Sequence, residues 1–114
     1  MGQLLYGTPP TSVEIDDRTL AHLQVVIVNK FRRDERFSFT IDPSPEHGRG
    51  RHALWLNPSI PLQFQFAGSR QPTLNGAWVE ALMDCANSGT GLRITPEVRE
   101  MREASAQLRA EPAA

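Results

Sequence analysis

Apolar residues follow two periods along the chain, two and about 3.6, and the switches between them mark the elements. Gln3 to Tyr6 reads as a short strand, and Gly7-Thr8-Pro9-Pro10 as a turn. Ser12 to Ile15 alternates again, which predicts a second strand paired with the first as a hairpin. Asp16 or Asp17 then supplies an N-cap. Leu20, Leu23, Val26, Ile27 and Phe31 recur at helical spacing from there to about Asp34, and Val25 and Val28 widen the stripe.

Phe37, Phe39 and Ile41 alternate with Ser38, Thr40 and Asp42, so a third strand follows. A loop rich in breakers leads to Gly50. His52 to Leu56 has Leu54 and Leu56 on one side and Ala53 and Trp55 on the other. Asn57-Pro58-Ser59-Ile60-Pro61 is a tight connection in which the prolines exclude a helix. Leu62, Phe64 and Phe66 alternate with Gln63 and Gln65. A second helix, capped by Thr73 or Asn75, carries Leu74, Trp78, Ala81, Leu82 and Cys85 on its inner stripe and stops at Asn87-Ser88-Gly89. Leu92 and Ile94 mark a last strand. Thr95-Pro96 has the form of an N-cap with proline at the first helical position. The segment to about Ala110 is read as a third helix with sparse apolar positions at Val98, Met101 and Leu108, and Glu111 to Ala114 as a fraying end.

Every strand has one apolar face, the signature of antiparallel pairing with one face open. The expectation is an α+β fold: a mostly antiparallel sheet of five to six strands, two helices on one face and a C-terminal third helix. A single domain is expected over residues 1–95, with the C-terminal helix and frayed tail over 96–114.

Composition narrows the partners. The chain has 114 residues, enough for one domain. Twelve Lys and Arg against thirteen Asp and Glu give a formal charge of −1, which argues against a general polyanion binder. Lys30 is the only lysine, a bias that a GC-rich coding sequence produces. Cys85 is the only cysteine, so no internal disulfide forms and a reducing cytoplasm is the expected setting. No basic segment leads an apolar one in Met1 to Pro10, so no signal peptide is expected. No apolar run is longer than Val25 to Val28, which is too short to span a bilayer, so no membrane partner is expected.

Three surfaces carry candidate chemistry. The open sheet face would present Ser38, Thr40, Trp55, Gln63, Gln65 and Arg93. Sheet faces with stacking aromatics hold single-stranded nucleic acid. Only one aromatic is in register here, so cover by the third helix or a second subunit is the stronger reading. The loop His47-Gly48-Arg49-Gly50-Arg51-His52 offers Arg49 and Arg51 to a phosphate, but no helix N-terminus or lysine follows to complete a cradle. Its histidines lack carboxylates or cysteines in ligand spacing, so neither metal nor cofactor is expected. Lys30, Arg32, Arg33 and Arg36 cluster at a helix end, where cations suit the dipole, and Asp34 and Glu35 offset them.

Catalytic arrangements are missing from the pattern. There is no Gly-x-Ser-x-Gly elbow. Cys85 falls on a helix inner stripe as a buried, inert thiol, and His22 beside a core stripe as a partly buried structural histidine. Glu14, Asp16 and Asp17 are explained by their place at a helix start.

Leu5-Tyr6-Gly7, Ile15-Asp16-Asp17-Arg18-Thr19-Leu20-Ala21-His22-Leu23, Leu56-Asn57-Pro58-Ser59-Ile60-Pro61-Leu62 with Phe64 and Phe66, and Leu74-Asn75 with Trp78, Leu82 and Asn87-Ser88 follow one another in order. This string resembles a group of short actinobacterial proteins of unknown function. Members of the group often carry the label ATP-dependent DNA ligase. The resemblance carries over no ligase residue: ligases of that class adenylylate the lysine of a Lys-x-Asp-Gly motif, and Lys30 is followed by Phe31-Arg32-Arg33.

The leading expectation is a non-enzymatic binding or protein-interaction module, homodimeric, using the sheet face around Trp55 or the arginine loop. An alternative is a nucleic-acid-associated accessory protein of DNA metabolism. A further alternative is a small hydrolase or nuclease in which His22, His47 or His52 meets a carboxylate in a cleft.

Overall fold

In the computed structural model, residues 1–42 and 50–98 are described. Strand β1 (Gly2–Tyr6) and strand β2 (Thr11–Ile15) form an antiparallel hairpin. Gly7 opens the turn at φ +90°, a conformation L side chains rarely adopt, and the Thr8–Pro9 peptide is cis. Helix α1 spans Asp17–Arg32, and the Asp16 carboxylate accepts from the Thr19 N–H at 3.0 Å as its N-cap. Strands β3 (Phe37–Ile41), β4 (His52–Leu56) and β5 (Leu62–Gln65) follow, then helix α2 (Gly76–Ala86) and strand β6 (Leu92–Arg93). Asn75, not Thr73, caps α2, its side-chain oxygen accepting from Ala77 N and Trp78 N.

The strands do not build one sheet. They build two of three strands each, ordered β2-β1-β5 and β4-β3-β6. This corrects the expected single sheet of five to six strands. The expected third helix is corrected as well: the described residues hold two helices, and residues 94–98 after β6 are irregular. The remainder of that expected helix, 99–114, lies outside the described residues.

The physical reason for the split lies in the connection 57–61. A short link between two alternating runs suggests a hairpin, but β5 pairs with β1 and β4 with β3. Pro58 and Pro61 offer no N–H to a ladder. The Gly7 N–H instead donates to the Pro61 carbonyl at 3.0 Å, which draws the link onto the end of β1. The Tyr6 hydroxyl donates to the Trp55 carbonyl at 2.7 Å and accepts from the Asn57 N–H at 3.0 Å. Two backbone groups at the end of β4 are thereby satisfied by a side chain of the other sheet, and that end of the strand is no longer a free edge.

Leu4 faces Val13 and Phe64 across the first sheet, and Phe39 faces Leu54 and Leu92 across the second. These inner faces and the two helices share one buried cluster. It includes Leu4, Leu20, Leu23, Ile27, Phe39, Leu56, Leu82 and Leu92, all with no exposed area. Each such side chain contributes roughly 1.5–3 kcal/mol of burial, so this cluster is what fuses two small sheets into a single α+β domain.

Candidate functional site

Trp55 lies on the outer face of β4 and is 61% exposed. Ser38 of β3 is directly opposite it, and Thr40 faces both Ala53 and Arg93. Trp55, Ser38, Thr40 and Arg93 therefore share one face. The Arg93 guanidinium is 3.7 Å from the Asp42 carboxylate. Gln63 and Gln65 are exposed on β5, across from Leu5 and Gln3, in the other sheet. The six residues expected on one open face thus divide between two surfaces. Arg51 is exposed just before β4, whereas Arg49 and His47 lie outside the described residues.

A second polar constellation forms where the starts of α1 and α2 meet. His22 is completely buried, deeper than the expected partial burial. Its Nδ1 is 2.7 Å from the Arg18 carbonyl and its Nε2 is 2.8 Å from the Asn75 N–H. A carbonyl only accepts and a backbone N–H only donates. The ring is therefore the neutral Nδ1–H tautomer, donating to Arg18 and accepting from Asn75. Its ring centre lies 4.5 Å from that of Trp78, tilted by 38°, and the Trp78 indole N–H donates to the Thr95 carbonyl at 3.0 Å.

Glu97 closes this constellation. Arg18 grips its carboxylate with two nitrogens, at 2.8 and 2.5 Å, and donates a third bond to the Thr73 carbonyl at 2.9 Å. Asn75 Nδ2 donates to Glu97 at 2.9 Å and to the Val98 carbonyl at 2.6 Å. The Arg18 hydrogen bonds first, and the Asn75 bond second, hold the Glu97 carboxyl down at about 2. The His22, Asn75 and Trp78 groups named here are engaged by one another, by backbone or by Glu97. The arrangement is a latch that pins the segment after β6 to both helix starts.

Several other titratable groups are also engaged; His52, half-buried at the start of β4, meets no carboxylate among the described residues. Asp17 accepts from the Ala67 and Gly68 N–H groups at 3.0 and 2.8 Å, and these bonds lower its carboxyl below the ordinary range. Lys30 is 5% exposed. Its ammonium donates to Asn87 at 2.6 Å, pairs with Glu35 at 2.7 Å and sits 5.4 Å from the Phe37 ring centre. The Lys30 ammonium's hydrogen bond to Glu35 lowers the Glu35 carboxyl below the ordinary range. The one lysine is thus a satisfied, buried cation. Cys85 is half-buried, not fully buried as its stripe implied, with its thiol 3.4 Å from the Gly91 carbonyl. Among the described residues no three His, Cys, Asp or Glu side chains cluster as a metal site, and no helix is long and apolar enough to cross a membrane.

A family model described as a domain of unknown function, DUF7882, matches residues 1–97. The chain belongs to that family. The DUF7882 match ends at Glu97, so it takes in both sheets, both helices and the latch. No curated protein and no solved structure matches the chain.

Sequence reading placed Trp55 and Arg93 on one face, where they lie on either side of β3, but missed the latch. Arg18 and Glu97 are 79 positions apart, and Tyr6 and Trp55 are 49 apart. No local period links such pairs. The one available signal was the lone buried-stripe position of His22, a polar residue that needs partners wherever it is enclosed.

Proposed function

We propose that this domain is a non-enzymatic interaction module that pairs with a second copy of itself in the cytoplasm through the outer face of the second sheet. One observation carries the reading: Trp55 is 61% exposed in the middle of a strand face, beside the small side chains Ser38 and Ala53. A large aromatic flanked by small residues offers a protruding anchor, the kind of residue that dominates interface energetics when covered. The engagement of His22 by Arg18 and Asn75 leaves that histidine no role as a general base, which lowers the hydrolase alternative.

The test is sedimentation velocity on the wild type and on Trp55→Ala. Self-association of the wild type, weakened in the variant, is the expected result. A wild type that stays monomeric at tens of micromolar while acrylamide freely quenches Trp55 sinks the reading. The nucleic-acid reading ranks second, favoured by Arg93 sharing the Trp55 face. It requires salt-dependent DNA or RNA binding that Arg49→Ala and Arg51→Ala abolish.

A further inference from the structure

The two sheets end in four edge strands, β2, β5, β4 and β6. An open edge invites pairing with another chain, and folded proteins guard such edges with charges, prolines, cover or short length. Three of the four show one of these devices. β2 carries the acidic Glu14. The end of β4 is met at the Trp55 carbonyl by the Tyr6 hydroxyl. β6 is two residues long. β5 differs. No charged side chain occurs from Asn57 to Ser69, and Pro61 precedes the strand without interrupting it.

The register fixes which backbone groups β5 leaves open. Gln65 and Gln63 lie opposite Gln3 and Leu5, and the Gly7 N–H bond to the Pro61 carbonyl continues the same series. In an antiparallel ladder, hydrogen-bonded positions alternate with positions whose groups point the other way. Pro61 is a bonded position, so Gln63 and Gln65 are bonded positions too. The N–H and C=O groups of Leu62 and Phe64 therefore point away from β1, and no strand takes them among the described residues. An extended chain laid alongside satisfies such a row.

The side chains indicate which extended chain. A two-fold axis through Phe64 pairs β5 antiparallel with its own copy. Phe64 then lies opposite Phe64, Leu62 opposite Phe66, and Gln63 opposite Gln65. The open groups of Leu62 and Phe64 fall on the bonded positions of this pairing. The half-buried Leu62, Phe64 and Phe66 meet apolar partners on the inner face, where Val28 and Phe31 of α1 border Leu62 and Phe64. The exposed glutamines meet on the outer face, and each amide offers both a donor and an acceptor. Two-fold pairing repeats each charge across the axis, so an uncharged strand suits it and a charged one does not.

We propose that β5 is a self-complementary edge through which two copies of the chain join antiparallel about Phe64, so that the three strands each copy contributes form one continuous sheet. This contact is separate from the Trp55 face and does not rest on it. Either contact alone gives a dimer, and both together link copies into an open array.

The test follows amide hydrogen exchange and sedimentation velocity of the full chain as its concentration rises to hundreds of micromolar. The Leu62 and Phe64 amides gain protection with concentration, in the wild type and in Trp55→Ala alike. Gln63→Lys combined with Gln65→Lys opposes like charges twice across the axis and weakens this association about tenfold. Gln63→Lys combined with Gln65→Glu opposes unlike charges instead and restores it. Loss of folding does not produce that rescue, nor does a register that sets Gln63 against its own copy. Leu62 and Phe64 amides that exchange alike at every concentration overturn the proposal, whether another protein or residues 99–114 hold the edge. So does a charge swap that associates no better than the double-lysine variant. Association lost in Trp55→Ala and untouched by the double-lysine variant overturns this contact and leaves the Trp55 reading standing. The reverse pattern supports this contact and removes the other.

Discussion

At the scale of single residues, several polar side chains able to do chemistry are spent on holding the chain together. Asp16 and Asn75 cap helices, Asp17 fastens the loop after β5, and Lys30 joins the ends of α1 and α2. Glu97 is the member of this set whose ionisation is most displaced. Its carboxyl sits at about 2 against an ordinary 4.5. A folded-state value below the unfolded one means that the contribution is complete above the ordinary value. It is lost as pH falls from 4.5 towards about 2. Asp17 and Glu35 are lowered too and act with the same sign. Urea unfolding across that window is therefore expected to show Glu97→Gln less stable than wild type near neutrality. The variant's stability is also expected to fall less steeply with acid, so that the two converge near pH 2. Parallel curves would show that the Arg18–Glu97 pair contributes no pH-dependent stability. None of these roles was legible beforehand except the caps, because capping is local and the rest depends on partners brought from far along the chain.

At the scale of elements, local pattern was informative and pairing was not. The strand at Phe37 to Ile41, the helix after Asp16 and the helix after Asn75 all announce themselves through period and cap. What period two does not encode is which strand lies beside which. One sheet of six strands and two sheets of three bury the same alternating face, and the choice was made by the Tyr6 and Gly7 hydrogen bonds to residues 55–61. The candidate face inherited that ambiguity, so Gln63 and Gln65 were assigned beside Trp55 when they belong to the other sheet. The end of α1 supplies a prediction at this scale. Asp34 N–H donates to the Phe31 carbonyl and Glu35 N–H to the Lys30 carbonyl, the double bond pattern of a Schellman stop. Its left-handed residue is Asp34, at φ 57°, where glycine is the residue without a Cβ penalty. Asp34→Gly is expected to stabilise the fold by about 0.5–1 kcal/mol, read as a higher urea midpoint at unchanged slope. A lower midpoint would mean that the aspartate side chain has a stabilising role that outweighs the backbone gain.

At the scale of the whole molecule, the question is whether two three-stranded sheets make one cooperative unit. Neither sheet is large, and three strands need a covering layer to be stable. That layer is common property: Leu23, Val26 and Ile27 of α1 belong to the same buried cluster as Leu4 and Val13 from one sheet and Phe39, Leu56 and Leu92 from the other. Loss of either sheet would expose the helix faces that support its neighbour. A single unfolding transition is therefore expected, with tryptophan fluorescence and far-ultraviolet circular dichroism giving coincident curves. The fluorescence reports on the half that holds β4 and α2, because both tryptophans are there. The Tyr6 bridge sharpens the test. Tyr6→Phe removes the hydroxyl that serves both the Trp55 carbonyl and the Asn57 N–H, at a cost of about 1–2 kcal/mol. If the shared core is what couples the sheets, the variant unfolds at lower urea but still in one step, and amide exchange accelerates first at Asn57. Two separated transitions would show instead that the tyrosine bridge, and not the core, makes the two sheets fold as one.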